Sequence, residues 1–336
     1  MNFVDGSKVF VFPESDELPH EPGAEENWQE SFVITWYDLT QSIGGLIRIG
    51  HEPNHKDGPR SQIMFNIVSP QGVFRRTGYL PLEARHRLKN GAVTGDDKLR
   101  CEYDGRIHWI YTDTDIEMKL DVDNFVPPVD IFRRPENESA SKFLGAHIDA
   151  GCSVSGSLTV KGKTWQIKDA PAVRDRAWGP RSWAALLSHR WNVGTFDREN
   201  SFVAMSFLSA GSKLASFGWV IRDKTVILAS KVESYARLGV DGGSNFGGTL
   251  KMTLVTGEVF NVEFDPFYPC LASFVNNTAF YDSLSRVSWG NKVGFGVFEH
   301  SANIQCGNAL PESFDGSYPP ESPSPWHDAK PLLMHR

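Results

Sequence analysis

The chain has 336 residues, which at roughly 100–200 residues per domain predicts two domains or one unusually large β architecture. Hydrophobic residues make up 40% of it, aromatic residues 12% and charged residues 22%, which excludes a disordered or fibrous protein. The net charge of −7 argues against the broad basic face that the phosphates of DNA or RNA need. Nucleic acid is therefore not an expected partner.

The start of the chain has no features of a targeting signal. The first thirty residues lack the basic start, apolar core and small-residue cleavage site of a signal peptide, so we expect a cytoplasmic location. No uninterrupted apolar stretch approaches the ~20 residues needed to cross a bilayer, so no membrane span is expected. The cysteines form no C-x-x-C pair, which predicts free thiols at all four positions: Cys101, Cys152, Cys270 and Cys306.

Alternation of apolar and polar residues recurs along the chain. Phe32 and every second residue to Trp36 share one face of a predicted strand, and Val33 begins the opposite face. The segment 116–123 places every apolar residue on one face and every charge on the other. The loop 256–258 separates two alternating runs and predicts a β-hairpin. Many closely spaced strands predict an all-β protein with two closed or nearly closed antiparallel barrels and few short helices.

A proline-rich connection marks the predicted boundary between the two barrels. Residues 124–139 contain three prolines, which deny hydrogen-bond donors to any central strand pairing. We therefore predict an N-terminal β-barrel domain over residues 1–150 and a C-terminal one over 151–310. Residues 311–336 contain six prolines and predict a surface tail, whose apolar residues are candidates for docking on a partner subunit in a homodimer.

The sequence offers no convincing cofactor motif. His51 and His55 have the H-x-x-x-H spacing of a metal pair, but Pro53 between them breaks the helix that would place both on one face. The glycine-rich residues 239–248 lack both the G-x-G-x-x-G order and a following helix, so a turn or loop is the better interpretation. We expect neither a metal nor a nucleotide cofactor.

The segment around Asp175 has the densest chemistry in the chain. Arg174, Arg176 and Arg181 surround this carboxylate, and Trp178 lies beside it. Arginine neighbours lower the pKa of an aspartate, whereas burial beneath indole rings raises it toward general acid or base use. Two interpretations stay open: a catalytic Asp175, or a buried ion pair with Trp178 plugging a barrel end.

Two histidines add candidates for proton transfer. His147 precedes an alternating strand, and His189 lies in a polar and aromatic segment with Trp191 beyond the Asp175 region. Imidazole titrates near neutral pH, so either side chain is suited to relaying a proton. The alternative for each is a structural histidine with satisfied hydrogen bonds.

Four motifs together resemble the carotenoid hydratase, hydroxyneurosporene synthase and AttH-like group. The motifs are WxESFxxxWxD (28–38), GGLIRIGxEPN (44–54), HxDAGxSVxGSLTV (147–160) and DRAWGPRSW (175–183). The resemblance covers roughly residues 27 to 300, and the D-x-x-W-G-x-R element is its most specific part. Arg176 and Ala177 depart from the His-Ser-like pair that many relatives carry. The resemblance implies tandem lipocalin-like barrels and a deep, aromatic-lined cavity without a redox cofactor.

These observations predict a cofactor-independent lyase, either a hydro-lyase or a carbon–carbon lyase. Its expected substrate is a hydrophobic, hydroxylated aromatic or isoprenoid small molecule, because elimination needs one acid, one base and an aromatic wall. Asp175 is the expected acid or base and Arg181 the residue that orients it. The further catalytic candidates are His51, His147 and Asp38, and the predicted substrate contacts are Trp36, Tyr37, Trp178, His189 and Trp191.

Three alternatives stay open at this point. A non-catalytic lipocalin-like carrier would use the same cavity to hold an apolar ligand and would need no ionisable pair inside it. An isomerase or cyclase would act on the same class of substrate. A scaffold protein would have no cavity and a large exposed apolar patch.

Overall fold

The computed structural model describes residues 1–88, 92–131, 145–181, 183, 186–209, 214–239, 244–275 and 278–303. The predicted tail over residues 311–336 and Cys306 lie outside them. Cys101 and Cys152 are buried free thiols, as predicted. No helix within the described ranges is long and apolar enough to cross a membrane.

The first twelve strands lie between Asn2 and Pro180. They are β1 (Asn2–Phe3), β2 (Trp28–Asp38), β3 (Ile43–Glu52), β4 (Arg60–Ser69), β5 (Gly72–Pro81), β6 (Arg87–Leu88), β7 (Ala92–Thr94), β8 (Leu99–Tyr103), β9 (Ile107–Thr112), β10 (Ile116–Asn124), β11 (Ala146–Val160) and β12 (Lys163–Pro180). Two short 3₁₀ helices, Glu14–Glu17 and Ala84–His86, are also present among the described residues of this part of the chain.

Eight more strands lie in the rest of the described chain. They are β13 (Leu186–Thr195), β14 (Asn200–Ser209), β15 (Ala215–Arg222), β16 (Thr225–Leu238), β17 (Asn245–Leu254), β18 (Val259–Val275), β19 (Thr278–Trp289) and β20 (Lys292–Asn303). The predicted hairpin around residues 256–258 is present, since β17 and β18 pair antiparallel on either side of it. The protein is all-β with two β units, which confirms the predicted fold class.

The unit formed by Lys8–Arg181 is an eleven-stranded antiparallel half-barrel. Its strand order is β5-β4-β3-β2-β12-β11-β10-β9-β8-β7-β6, so β5 and β6 are the edges in the described pairings. The other unit comprises Met1–Ser7 and the chain from residue 182 onward. There β13 to β20 form a barrel that closes through the pairing of β16 with β17, and β1 adds to β16 in parallel.

The boundary between the units falls later than the sequence predicted. The predicted boundary between residues 150 and 151 lies inside β11. Both β11 and β12 belong to the N-terminal sheet, where β11 pairs with β10 and β12 pairs with β2. The division therefore falls after Arg181. The prolines at 127 and 128 lie in a connection inside the first unit, because β11, the next strand, returns to the same sheet. Pro135 lies outside the described residues.

Alternation along the strands gives the N-terminal sheet two different buried faces. One face carries the hydrophobic core, to which Ile34, Trp36 and Phe65 contribute side chains that are fully buried. The opposite face is also buried but polar. It includes Arg48, Gln62 and Asp149, together with Ser31, Thr35, Glu52, Asn66, His147 and Ser153. Buried polar and charged groups cost free energy unless they are paired, so this polar face is where a functional site is expected.

Candidate active site

Two adjacent strands bring a histidine and two aspartates together on the polar face. In the antiparallel pairing of β11 with β12, Asp149 stands directly opposite Asp175. His147 lies two residues before Asp149, so the alternation of the strand places both on the same face. Nε2 of His147 is 3.0 Å from Oδ2 of Asp149 and 3.9 Å from Oδ2 of Asp175. One imidazole nitrogen therefore faces two carboxyl groups.

The electrostatics of this cluster favour a proton on His147. Burial by itself would lower the pKa of His147, but the negative charges of Asp149 and Asp175 outweigh burial and raise that pKa above its ordinary value of 6.5. Arg181 opposes this effect only in part. The imidazole is thus a proton donor over a wider pH range than a histidine in water.

Asp175 is the member of the cluster that is most open to a small molecule. Its side chain is 20% exposed, whereas the Asp149 side chain is fully buried. Burial and the neighbouring Asp149 raise the pKa of Asp175, against the attraction of His147, Arg181 and Arg48. No group in the described ranges donates a hydrogen bond to Oδ1 of Asp175. Asp175 therefore combines access, a raised pKa and an oxygen left for a substrate.

Two buried arginines flank the cluster. Arg48 on β3 and Asp175 on β12 both stand opposite Val33 of the intervening β2, so they share one face of the sheet. Burial lowers the pKa of Arg48 and lowers that of Arg181 to about 10. The charge of Asp175 is the leading interaction that favours the charged form of Arg181. Arginine side chains are charged in proteins near neutral pH, so both guanidinium groups add positive potential at Asp175.

The same three side chains have the composition of a metal site that the sequence analysis missed. One ligand atom from each of His147, Asp149 and Asp175 lies within 4.8 Å of the other two. Imidazole and carboxylate donors at this spacing suit several divalent cations. Arg48 and Arg181 act against a cation, because the positive charge of each reaches Asp175. The charges of this cluster fit proton transfer better than a bound cation.

The arginines that neighbour Asp175 in sequence lie on the opposite face of the sheet. Arg174 donates to Glu17, with Nη1 2.7 Å from Oε2. Arg176 donates to Glu30, with Nη2 2.8 Å from Oε1, and its guanidinium lies 4.0 Å from the centre of the Phe32 ring. The alternative in which Asp175 forms an ion pair is therefore excluded for Arg174 and Arg176 and stays open for Arg181. Arg174 and Arg176 each have a glutamate of their own.

Trp178 also lies on this opposite face. Its indole stacks on His20 at 4.1 Å between ring centres, close to the guanidinium of Arg176. Trp36 is fully buried in the hydrophobic core. Neither indole can form the predicted aromatic wall beside Asp175, because alternate residues of a strand point to opposite faces. Tyr37 is on the polar face, near the end of β2, and burial raises its pKa.

The core side of the N-terminal unit has little free space. A recess among Glu17, Cys101, Tyr103 and Arg174 has a volume of about 20 Å³. A space of this size holds about one water molecule, since each needs roughly 10–15 Å³ by the same measure. The deep, aromatic-lined cavity that the resemblance implied is not found at this recess, because large side chains fill the core around it.

Two further predicted catalytic residues serve the fold. Asp38 closes the turn after β2, where its carboxylate accepts hydrogen bonds from Thr40 and Gln41. Burial acts to raise the pKa of Asp38, but these hydrogen bonds outweigh it and lower that pKa. His51 is on the core face, with Nε2 2.9 Å from the carbonyl oxygen of Thr94. The structure thus separates both residues from Asp175.

His189 and Trp191 belong to the C-terminal unit. Both lie on β13, and Nδ1 of His189 is 2.7 Å from Oε1 of Glu299 on β20. Glu299 stands opposite Asp282 of β19. Burial, the charge of Glu299 and a hydrogen bond with it raise the pKa of Asp282 well above its ordinary value. His189 therefore has a buried acid pair beside it within its own unit.

The sequence contained signals for the two residues that were missed. Asp149 follows His147 at a spacing of two, which on a strand places both side chains on one face. Arg48 is the one charged residue in the apolar run 43–50, and a charge in a buried strand is uncommon unless it has a function or a partner. Either pattern could have identified these residues.

Comparison with known proteins assigns the family. A family model described as "Domain of unknown function (DUF7064)" matches residues 13–304. The chain belongs to the DUF7064 family. No curated protein matches this DUF7064 chain by sequence.

Solved structures share the fold of this DUF7064 protein at low sequence identity. NE1406 of Nitrosomonas europaea, assigned as an AttH, is 12% identical with a TM-score of 0.63, over 90% of this chain and 99% of that one. CghA with Sch210972 is 11% identical with a TM-score of 0.59, over 85% and 94% of the two chains. Kievitone hydratase of Nectria haematococca is 9% identical with a TM-score of 0.56, over 90% and 95%. The fold is AttH-like, as the motifs indicated.

Proposed function

We propose that this protein is a cofactor-independent lyase that uses acid–base catalysis on a hydrophobic, hydroxylated small molecule. The observation that carries the proposal is Asp175, an accessible carboxyl group with a raised pKa beside the buried pair of His147 and Asp149. Elimination of water requires a proton for the leaving hydroxyl group and a base for the proton on the neighbouring carbon. This cluster offers both functions within a few ångströms.

The arrangement suggests a role for each group. Asp175 donates its proton to the leaving hydroxyl group as the C–O bond breaks and water departs, and the Asp175 carboxylate so formed accepts the proton of the neighbouring carbon as the double bond forms. The cation of His147, with Nε2 3.9 Å from Oδ2 of Asp175, stabilises that carboxylate between the two transfers. Asp149, at 3.0 Å from the same nitrogen, orients the imidazole and stabilises its cationic form. Addition of water would use the same steps in reverse.

The likeness in fold to a hydratase agrees with this chemistry, although fold alone does not imply function. The carrier alternative has less support, because a carrier has no use for an ionisable cluster with perturbed pKa values. An isomerase or cyclase would use the same acid and base, so the test must separate these reactions by the mass of the product.

The proposal is tested by incubating the full chain with a panel of hydrophobic β-hydroxy carbonyl compounds and the matching alkenes. Mass spectrometry should detect loss or gain of one water, or loss of a carbonyl fragment; a product of unchanged mass would indicate isomerisation instead. Asp175→Asn should lower the rate by ~10²–10⁴-fold. Asp104→Asn, at an exposed turn, is the control. An Asp175→Asn variant with the wild-type rate would remove Asp175 from the mechanism.

The same assay tests the metal alternative at the cluster. We expect exhaustive chelation with EDTA to leave the rate unchanged, since the two arginines oppose a cation beside Asp175. Loss of activity on chelation, with recovery on adding one divalent metal, would instead assign His147, Asp149 and Asp175 as ligands.

A further inference from the structure

We infer that Arg48 binds an anionic oxygen of the substrate, so that the preferred substrate carries a carboxylate or another ionised oxygen near its reacting hydroxyl group. This inference rests on the proposed function for its location, beside Asp175. Its support comes from three properties of Arg48: its unbalanced charge, its fixed orientation and its position in the sheet.

Arg48 is a buried cation without a carboxylate of its own. The residue is 9% exposed, and none of the described carboxylates lies within 4 Å of its guanidinium. The charges that favour it act at longer range and come from Tyr79, Glu52 and Asp175. Glu52 is held by Arg60, with 2.7 Å between Nη2 and Oε2. The raised pKa of Asp175 makes it a poorer counter-ion than an ordinary aspartate.

Burial of an arginine without an anionic partner costs free energy, so the presence of Arg48 here needs an explanation. The other buried arginines on the same sheet, Arg174 and Arg176, each have a glutamate within hydrogen-bonding distance. Arg48 instead donates to the neutral amide oxygen of Gln62. A bound anion would supply the negative charge that no described residue provides next to the Arg48 guanidinium.

The guanidinium of Arg48 is held in a fixed orientation. Gly50 stands two residues further along β3 on the same face, and a Cβ atom there would lie 2.8 Å from Cζ of Arg48. The glycine thus leaves room for the guanidinium to lie against the strand. Gln62 stands opposite Gly50 on β4 and accepts the hydrogen bond from Nη1. A planar group held in this way is suited to binding an oxygen anion with two donors.

The position of Arg48 connects it to the proposed chemistry. Only Val33 separates Arg48 from Asp175 across the strands, which places their Cα atoms roughly 10 Å apart at the usual spacing of ~4.8 Å per strand. Ser31 on β2 pairs with Gly50, and Ala177 on β12 pairs with Ser31, so the side chains next to this position are small. An oxygen anion at Arg48 would therefore leave the adjacent carbon atoms of the same molecule near Asp175.

The test measures binding rather than turnover, so it does not depend on the reaction. The probes are 2-naphthoate and its neutral analogue 2-naphthamide, titrated into the full chain by calorimetry. We expect wild type to bind the naphthoate at least about tenfold more tightly, and Arg48→Met to abolish this preference. Asp175→Asn should keep the preference, so failure of the proposed catalysis and failure of this inference give different results.

Three controls separate binding from a structural role. Arg100→Met removes an exposed cation that is paired with Glu102 and should keep the preference. Gly50→Ala leaves Arg48 in place but displaces its guanidinium, and should reduce the preference. Arg48→Met should melt no earlier than wild type, since it removes an uncompensated buried charge.

Three results would overturn the inference. They are equal affinity of wild type for the two probes, failure of wild type to bind naphthoate, and an Arg48→Met variant that keeps the preference.

Discussion

Asp149 and Asp175 stand directly opposite each other on β11 and β12, so two carboxyl groups occupy neighbouring positions on one buried face. Two carboxylates at this spacing repel each other, and His147 lies within 3.9 Å of both. Ionisation of both carboxyl groups at once is therefore unfavourable, in agreement with the raised pKa of Asp175. Arg174 and Arg176, on either side of Asp175 in the sequence, are instead ion-paired with glutamates on the opposite face.

The stability of Asp175→Asn separates the two interpretations of this residue. A raised pKa means that the folded state favours the protonated carboxyl group, even with the attraction of Arg181 and Arg48 included. Wild type therefore loses stability as the pH rises from 3.8 through the raised value. Asparagine resembles the neutral acid and has no such loss. We expect Asp175→Asn to melt at the wild-type temperature or above it at neutral pH.

The measurement is thermal unfolding of both proteins between pH 4 and pH 8. If Asp175 mainly served as the partner of a buried arginine, the substitution would instead cost ~3–5 kcal/mol at neutral pH. An earlier melt of that size would contradict the raised pKa and would favour the structural interpretation.

A second prediction concerns the pKa of His147. Asp149 is the nearer of the two carboxylates that raise this pKa against burial. We expect Asp149→Asn to lower the pKa of His147, and NMR titration of the imidazole resonances can measure it. His108 is the control, because Asp104 and Asp121 raise its pKa at a separate site. A lowered pKa at both histidines would indicate a general disturbance of the unit.

The same change has a predicted effect on stability. A histidine whose pKa is raised by folding contributes stability that is fully present below its unfolded pKa near 6.5 and is lost as the pH rises through the raised value. Wild type should therefore lose stability above pH 6.5, and Asp149→Asn should lose less over the same range. An equal loss in the two proteins would show that His147 is not responsible.

The sequence predicted that the site residues lie on strands, but it did not predict which face of the sheet each side chain is on. Residues 174–178 looked like one cluster because four of these five adjacent residues carry charged or aromatic side chains. Alternation instead sends Arg174, Arg176 and Trp178 to one face and Asp175 to the other. This split follows from the period of a strand, so it was predictable once the segment was assigned to a strand interior rather than to a strand end.

The pairing of Asp149 with Asp175 was not predictable in the same way. The turn at Lys161 and Gly162 fixes the start of the hairpin, and simple counting from it would place Arg174 opposite Asp149. A bulge between Val154 and Gly156 shifts the pairing by one residue and brings Asp175 there instead. Arg48 lies on β3, which is far from β11 and β12 in the sequence, so only the tertiary fold places it on the same face as Asp175. A cytoplasmic location and a homodimer stay predictions.

The third prediction concerns the opposite face, where Arg176 and Glu30 form a buried ion pair. Glu30 has no exposed side-chain surface and also contacts His20. Glu30→Gln removes the charge that balances Arg176 at nearly constant volume, so we expect a loss of ~3–5 kcal/mol in the free energy of unfolding. Glu102→Gln breaks an exposed pair with Arg100 in the same unit and should cost no more than ~1 kcal/mol.

Chemical denaturation of the full chain, followed through the fluorescence of its tryptophans, compares these two variants with wild type. Equal losses in the free energy of unfolding would mean that the buried pair of Arg176 and Glu30 stabilises the protein no more than the exposed pair of Arg100 and Glu102. Activity should fall less in Glu30→Gln than in Asp175→Asn at a temperature where both variants are folded, because Glu30 does not face the proposed site.

The last prediction concerns Asp282, whose pKa is raised well above its ordinary value of 3.8 by burial and by Glu299. We interpret the pair as a protonated Asp282 that donates to an ionised Glu299, which also contacts His189. The folded state then binds more protons than the unfolded chain above pH 3.8, so wild type loses stability as the pH rises toward the raised pKa. Each unit of difference between the folded and the unfolded pKa of Asp282 corresponds to about 1.4 kcal/mol in the free energy of unfolding.

The amide of Asp282→Asn can donate to Glu299 without titrating, so we expect stronger protection of the β19 amides at neutral pH and a flatter dependence on pH. Hydrogen exchange, corrected for the intrinsic effect of pH, measures this protection. Asp282→Leu is the matched control, because it removes the charge and the donor together and should weaken protection by leaving Glu299 with one fewer hydrogen bond. Protection that falls at every pH in Asp282→Asn would mean that Asp282 is ionised in the folded protein and bound to a cation.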